Sequence, residues 1–518
     1  MDIFDGNNYA VTAVQENPLK VKDDVYSAGF NLRHDLPFRL PTSIRVGALV
    51  TEQTKNSKGG SWSRVFAPPG GAAAQSARNY DLIATEYSAR LPLVDAYSHP
   101  LNIKWLSPYK MHTLYSQHPE WFTYSAANAA AYHTSTVNTS KKLQETVSAA
   151  YVRGDLKLVD NRLWLVGGVR FERTDDDGRG PLNDIRAIYQ QDANGNLLRS
   201  PTGALLPVTT DAYERAKLQL VERGARSKTN YDGLFPSFNS SYDITENIVL
   251  RAAYAKMIGR PNLSEIIPGV TVTDPSATPE NRRITVINSN LKPWTANNYD
   301  VSLEAYNIRG AVANVSLFRK ELKDFFGSVT SEATPALLEE FGLTDDYIDY
   351  QIVTKRNFGA ATISGYEVGY RQSLLFLPDW LQGIQAYGNI TGLDLSGPNA
   401  ESFTNFSPRN ISWGISYVRP KFVGKINVAQ TKMIRASPAA ASATVPAGSY
   451  NVAGPQTRID LALEYRLVKS FSAYVSVRNL MAVPKRNGVL APGAPNYTTY
   501  NYYQYTGAMF TFGVKGSF

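Results

Sequence analysis

The stretch "TRIDLALEYRL", residues 457–467, alternates between apolar and polar side chains along its whole length. One side of this stretch consists of Ile459, Leu461, Leu463, Tyr465 and Leu467. The other side consists of Arg458, Asp460, Ala462, Glu464 and Arg466. A period of two predicts a β-strand with one apolar and one wet face. A soluble β-sandwich also alternates, but charges of both signs on one face, with an aromatic residue near the strand end, favour a membrane strand.

The same alternation extends along most of the chain, for example in "NISWGISYV" (410–418), "YDVSLEAYN" (299–307) and "NIVLRAAYAK" (247–256). Working back from the C-terminus, short turns such as Arg309-Gly310 alternate with much longer connections. The long connections are expected near residues 52–142, 174–228, 258–296, 327–358, 397–408, 436–456 and 486–501. Alternating strands joined in this way predict an all-β fold, a transmembrane antiparallel up-and-down β-barrel with roughly fifteen strands.

The composition narrows the class of protein. The chain has 518 residues, no cysteine and a formal net charge of +8, and its basic residues are dispersed. Disulfide and thiolate chemistry are therefore excluded, and a nucleic-acid partner is not indicated. The sequence contains no run of 18 apolar residues, so transmembrane helices are not expected. No nucleophile motif or phosphate loop indicates an enzyme.

The loop pattern also predicts an orientation. Short turns of such barrels face the periplasm and long loops face the outside. Residues 1–24 are then expected to be part of an extracellular loop, and residues 25–518 to form the barrel. An odd strand count that starts outside departs from the even count of bacterial barrels. We therefore expect this barrel to be incomplete at its beginning.

Several motifs together resemble one family. The segment "NSNLKPWTANNYDVSLEAYN" (288–307) and the return strand "VANVSLFRKELKDFF" (312–326) are similar to the barrel signature of TonB-dependent outer-membrane receptors. Three further stretches match later parts of the same barrel: "LRAAYAKMIGRPNLSEIIPG" (250–269), "ISGYEVGYRQSL" (363–374) and "VSVRNLMAVPKRNG" (475–488). The resemblance implies a barrel of about 22 strands, of which this chain would hold the last fifteen or so.

The resemblance also implies a function and partners. It implies active uptake of a scarce ligand, such as an oligosaccharide or a siderophore, across the cell outer membrane. The implied partners are outer-membrane lipid, the barrel-assembly machinery and the TonB energy complex. Contact with TonB would be made through a plug, which we expect to be absent from this chain. A passive porin-like channel, a surface-anchored or soluble β-rich binding protein, and a non-functional truncated remnant are the alternatives.

Candidate site residues come from two regions. The longest connection carries aromatic residues that are candidates for ligand contact, since aromatic side chains bind sugars and other large amphipathic ligands: Trp105, Tyr109, Tyr115, Trp121 and Tyr124. Packing of the loop against the barrel mouth is the alternative role for these residues. The aromatic C-terminal strand, with Phe510, Phe512 and Phe518, resembles the signal that the barrel-assembly machinery recognises.

Two acidic stretches are superficially similar to calcium loops, "RTDDDGRG" (173–180) and "QDANGNLL" (191–198). Neither has the glutamate that a twelve-residue calcium loop needs at its last position. Turns are the better interpretation, and Asn194-Gly195 predicts a type I′ turn. The five histidines are scattered and do not have metal-ligand spacing. No metal or cofactor is expected.

Overall fold

The computed structural model describes residues 9–84, 93–94, 100–101, 105–272, 282–341, 343–357, 359–398, 403–439, 444–446 and 448–516. Its main feature is an antiparallel sheet of fifteen strands, which is the number expected from the sequence. The strands are β1 (Leu19–Leu36), β2 (Thr42–Gly59), β3 (Lys141–Leu158), β4 (Leu163–Asn183), β5 (Leu220–Thr245), β6 (Ile248–Gly259), β7 (Trp294–Ile308), β8 (Ala311–Lys323), β9 (Ala360–Ser373), β10 (Ile384–Ser396), β11 (Arg409–Val418), β12 (Phe422–Thr431), β13 (Gln456–Val468), β14 (Phe471–Arg478) and β15 (Met509–Gly516).

Each strand of this sheet pairs with the strands that precede and follow it in the order β1 to β15, so the topology is up-and-down. Tight turns alternate with long connections, as predicted. The turn between β7 and β8 contains Arg309 and Gly310 with φ of 52° and 80°. Positive φ at both central positions matches the right-handed twist of the paired strands. In the described part of the chain β1 and β15 are the two edges of the sheet and do not pair with each other.

The two faces of the sheet differ in chemistry. On β15, Phe510, Phe512 and Val514 lie on one face and are 61%, 79% and 65% exposed. Lys515 points to the other face, where its Nζ lies 2.5 Å from the carboxylate of Glu464 on β13. We call these faces the apolar face and the polar face. An exposed apolar face requires a non-aqueous surrounding, and a lipid bilayer supplies one.

Several strands extend beyond the apolar band. On the apolar face of β4 the side chains of Leu165, Val169 and Phe171 are followed by Arg173 and Asp175, which form an ion pair of 2.9 Å. Since an exposed charged pair is not stable in hydrocarbon, β4 leaves the hydrocarbon region near residue 172. Residues 173–183 therefore project beyond the membrane-spanning segment.

These projections correct the expected loop bounds. The expected connection 52–142 begins only after Gly59, and the expected connection 174–228 is strand up to Asn183 and again from Leu220. Strand β1 starts at Leu19, inside the segment 1–24 that was expected to be a loop. The projecting parts are polar on both faces, so their alternation is lost from the sequence although their backbone pairing continues.

The long connections form structures of their own at one end of the sheet. Their strands are Ala13–Glu16, Trp62–Phe66, Ile83–Ala84, Leu93–Val94, Pro100–Leu101, Trp105–Leu106, Phe122–Thr123, Gly269–Val272, Arg283–Ile287, Phe326–Glu332, Gln351–Asn357, Ile434–Pro438, Tyr450–Ala453, Lys485–Leu490 and Tyr500–Gln504. Their α-helices are α1 (Pro108–Gln117), α2 (Ala126–Thr139), α3 (Ala212–Gln219), α4 (Leu263–Ile266) and α5 (Pro335–Glu340). Their 3₁₀ turns are Gly71–Gln75, Ala77–Tyr80, Pro119–Trp121, Ile185–Ile188, Asp345–Tyr347 and Asn496–Thr498. Among the described residues, none of the helices has the length and apolar character needed to cross a membrane.

Candidate functional site

The connection between β2 and β3 folds around an aromatic core. Its fully buried centre is Phe66, which packs edge-on against Tyr80 at 5.4 Å and in a tilted arrangement against Phe122 at 5.0 Å between ring centroids. Helix α1 covers this centre with Met111 and Leu114. Helix α1 begins at the N-cap Ser107, whose Oγ accepts a hydrogen bond from the backbone N–H of Lys110. Aromatic packing and capping thus hold this long connection in a defined shape.

The structure places two of the predicted ligand-contact residues inside that core. Tyr115 packs edge-on against Phe122 at 5.1 Å, and Trp121 stacks on His118 at 3.8 Å with the rings nearly parallel. Trp121 also contacts Tyr80. Packing, which was the alternative role for these aromatic residues, accounts for both side chains.

The other candidates have different positions. Tyr109 on α1 is 79% exposed and Tyr124 is 43% exposed. The guanidinium of Arg64 lies 5.0 Å from the centre of the Tyr124 ring, which is a cation–π distance. The backbone of Trp105 pairs with that of Ala84. Tyr109 and Tyr124 are therefore open to a ligand.

The candidate assembly signal lies on the last strand. Phe510 and Phe512 both point out from the apolar face of β15. Phe518 lies outside the described residues. The two described aromatic side chains thus share one exposed face, as the alternation predicted.

A second cluster lies on the polar face, where the chain leaves β6 and folds back over β4. The guanidinium of Arg260 donates hydrogen bonds to Glu172 Oε2 at 2.6 Å and to Thr174 Oγ1 at 3.1 Å. The side chains of Ile266 and Ile267 are buried against Leu143 of β3. We call residues 260–268 the returning segment. The ion pair of Arg260 and the burial of the two isoleucines attach the returning segment to the polar face of the sheet.

Under the returning segment lies an acidic pair, of which Asp176 is buried and Glu145 is half-buried. Asp176 on β4 is directly opposite Glu145 on β3, is only 4% exposed, and has no hydrogen-bond partner for either carboxylate oxygen. Burial, and next the nearby negative charge of Glu145, raise the pKa of Asp176 to about 7. The guanidinium of Arg260 opposes this shift. Asp176 therefore changes its charge near neutral pH.

Glycines on β4 make room for the returning segment. A Cβ atom at Gly180 would lie 2.5 Å from Ile267 Cγ2 and 2.8 Å from the carbonyl oxygen of Pro268. Such distances are shorter than side chains tolerate, so the close approach of the two backbones requires glycine here. Gly180 thus leaves space for the returning segment on the polar face of the sheet.

The acidic stretches do not form calcium loops. Asp175, Asp176 and Asp177 belong to strand β4 and not to a turn, because their backbones pair with β3 and β5. The second stretch is a turn, as expected, but it is not type I′, because φ is left-handed at Gly195 and not at Asn194. Asp192 organises that turn. Hydrogen bonds from the side chain and backbone of Asn196 lower the pKa of Asp192.

No group of three or more candidate metal ligands occurs among the residues that the structure describes. Two of the described histidines have local contacts. The ring of His118 stacks on that of Trp121 and its Nδ1 lies 3.1 Å from Glu120, and His133 Nε2 lies 3.1 Å from the carbonyl oxygen of Leu220. These contacts hold loop segments together. The sequence pattern did not reveal the acidic pair or its cover, because both depend on cross-strand register.

Comparison with known proteins supplies an independent finding. The family model described as "TonB dependent receptor-like, beta-barrel" matches residues 3–480. Comparison with curated protein sequences finds no significant match.

Solved structures with a similar fold include three receptors. A mutant of the ferric enterobactin receptor PfeA from Pseudomonas aeruginosa, in complex with enterobactin, aligns with a TM-score of 0.54 and 16% identity over 96% of this chain and 55% of the other. The ferric-catecholate import receptor Fiu from Escherichia coli K12 aligns with a TM-score of 0.53 and 14% identity over 96% and 55%. The siderophore receptor PiuA from Acinetobacter baumannii aligns with a TM-score of 0.51 and 12% identity over 96% and 56%. The chain thus spans about half the length of these structures, and the likeness establishes the fold.

Proposed function

The chain belongs to the TonB-dependent receptor-like β-barrel family, and from this premise we propose that it forms the barrel wall of a receptor for active uptake of a scarce ligand, energised through TonB. The family consists of receptors of the cell outer membrane and not of enzymes. The chain is therefore an outer-membrane protein. Its transport activity, its ligand and its partners are the proposed part.

The proposal rests on one observation, which is that the two faces of the same sheet differ in chemistry. The apolar face of the fifteen-stranded sheet suits lipid, while the polar face carries ion pairs and the returning segment. Long connections with buried cores stand at one end of this wall. Such an arrangement supports recognition at that end, which we assign to the outside of the cell, and passage along the polar face.

Two exposed tyrosines support a ligand role for the longest connection. Tyr109 and Tyr124 present aromatic surface at the long-connection end, and Arg64 adds a positive charge beside Tyr124. Aromatic surface with a cation suits two ligand classes, oligosaccharides and ferric siderophores. We propose these classes as the candidates.

The test uses cells that produce the full chain, in a tonB-positive strain and in a tonB-deleted strain. Uptake of ferric enterobactin and of maltohexaose is measured with radiolabelled compounds. We expect uptake of one of them in the first strain and its loss in the second. Equal uptake in both strains would contradict energised transport and support a passive porin-like channel. No uptake in either strain would contradict transport by this chain.

Assembly provides a separate test. We propose that Phe510 and Phe512 on β15 are read by the barrel-assembly machinery. Replacing both by serine is expected to lower the amount of chain in the outer-membrane fraction severalfold, because the strand loses its exposed aromatic face. Thr511→Ala, which alters the polar face of the same strand, is the control. An unchanged amount of the double variant in the outer membrane would contradict the proposal.

A further inference from the structure

Three arginines form a row across neighbouring strands on the polar face, near the short-turn end. Arg33 on β1 is directly opposite Arg45 on β2, and Arg45 is directly opposite Arg153 on β3. Like charges placed directly opposite each other on a sheet repel. The row therefore needs negative charge close by.

The next row on the same face supplies part of that charge. It consists of Asp35, Ser43 and Asp155, again directly opposite one another. Asp35 lies 2.7 Å from the guanidinium of Arg33, and Asp155 lies 2.5 Å from that of Arg153. The central strand β2 has Ser43 where its two neighbours have aspartate, so the strand of Arg45 contributes no carboxylate to this row.

Among the described residues, Arg45 lacks both a hydrogen-bond acceptor for its Nε and a counter-ion. It is half-buried, its Nε is buried without a hydrogen-bond partner, and it forms no ion pair with the residues that the structure describes. The Nε of Arg153 and the Oδ2 of Asp155 are also buried and unpartnered. A buried guanidinium N–H without an acceptor is costly, and a carboxylate can accept from it.

The three arginines line one cavity of about 580 Å³, together with Asp35, Asp155, Lys157 and Trp164. Four cations and two carboxylates leave the cavity positive. A carboxylate supplies the acceptor that Arg45 lacks, and its planar shape matches the fork of a guanidinium.

We propose that this cavity binds one carboxylate group, held by the guanidinium of Arg45 between those of Arg33 and Arg153. The carboxylate belongs either to a free organic acid in the lumen or to an acidic side chain of a polypeptide that enters it. The site is independent of the uptake function proposed above, since it uses none of the loop residues.

The test uses the full chain refolded in detergent micelles and titrated by calorimetry with sodium acetate and with a hexaglutamate peptide. We expect the parent chain to bind at least one of them. Arg45→Gln should weaken binding at least tenfold, because it removes the central cation. Arg371→Gln is the matched control, because Arg371 is an exposed arginine on the polar face of β9, also near a short turn. The control should bind as the parent does.

A second variant is expected to lose binding while gaining stability, so it distinguishes a loss of binding from a loss of folding. Ser43→Asp completes the row of carboxylates within the chain, so it should abolish binding while raising the unfolding midpoint. Binding by Arg45→Gln or by Ser43→Asp that equals the parent, or no binding by the parent, would overturn the proposal. Peptide binding more than tenfold tighter than acetate assigns the carboxylate to a polypeptide, and equal affinity per carboxylate assigns it to a free acid.

Discussion

The two ends of the polar face solve the same electrostatic problem in different ways. At the long-connection end the acidic residues Glu172 and Asp176 meet a cation from the chain itself, because the returning segment brings Arg260 to them. At the short-turn end Arg45 lies between two other arginines, and no carboxylate among the described residues reaches it. At the long-connection end the chain's own returning segment supplies the compensating charge. At the short-turn end the described residues supply no carboxylate to Arg45, and the proposed ligand would supply it.

The largest expected effect concerns Asp176. Its pKa is raised from 3.8 to about 7 in the folded chain. Between these pH values the folded state holds a proton that the unfolded state has lost, so the free energy of unfolding falls as pH rises through this window and is level above it. Asp176→Asn should remove this fall and stabilise the chain at roughly pH 8 by on the order of 2–4 kcal/mol.

Urea unfolding of the refolded chain in detergent, followed across this pH window, measures the effect. Asp175→Asn is the control, because Asp175 lies on the opposite face of β4 and pairs with Arg173. It should bring no gain above neutral pH. A parent chain whose stability does not fall between the two pKa values would contradict the assignment of a neutral acid at Asp176.

Removal of the compensating cation should have the next largest effect. Arg260→Gln removes one of the two guanidinium partners of Glu172, leaving it with Arg170, and removes the positive charge that acts on Asp176, so we expect a loss of about 2 kcal/mol at neutral pH. Arg226→Gln breaks the more exposed pair with Asp177 on the other face, and its loss should be clearly smaller. If both variants lose the same free energy of unfolding in urea, the returning segment does not compensate the negative charges of Glu172 and Asp176.

Much of the wall could be predicted from the sequence, because alternation is a local property. The number of strands follows from the alternation together with the short and long connections, and the faces of Phe510 and Lys515 follow from residue parity. The projecting part of β4 could not be predicted, since Arg173 and Asp175 make its outer face polar. The row of Arg33, Arg45 and Arg153 is likewise invisible in the sequence, where these residues lie far apart and only register brings them together.

The close contact between Gly180 and the returning segment provides a third test, which concerns the long-connection end alone. Gly180→Ala should displace the returning segment, because the added methyl group would collide with Ile267 and Pro268. We expect a loss of about 1–2 kcal/mol in urea unfolding, together with faster proteolysis of residues 260–268. Gly154→Ala is the control, because its Cβ would have the carbonyl oxygen of Gly167 as its nearest neighbour at 4.0 Å. Restoration of stability by adding Ile267→Ala to Gly180→Ala would confirm the contact, and equal behaviour of the two single alanine variants would contradict it.

The smallest effect is expected from salt, and it tests the short-turn end alone. Because the arginine row repels itself, screening by sodium chloride should stabilise the parent relative to Arg45→Gln by less than about 1 kcal/mol between low and high salt. The difference between the two chains is the relevant quantity, since attractive ion pairs elsewhere weaken equally in both. Arg371→Gln should follow the parent. The measurement is the urea midpoint at several salt concentrations without any added carboxylate. If the parent and Arg45→Gln respond identically, the three guanidinium groups are not strained by one another, and the contrast between the two ends of the polar face loses its electrostatic basis.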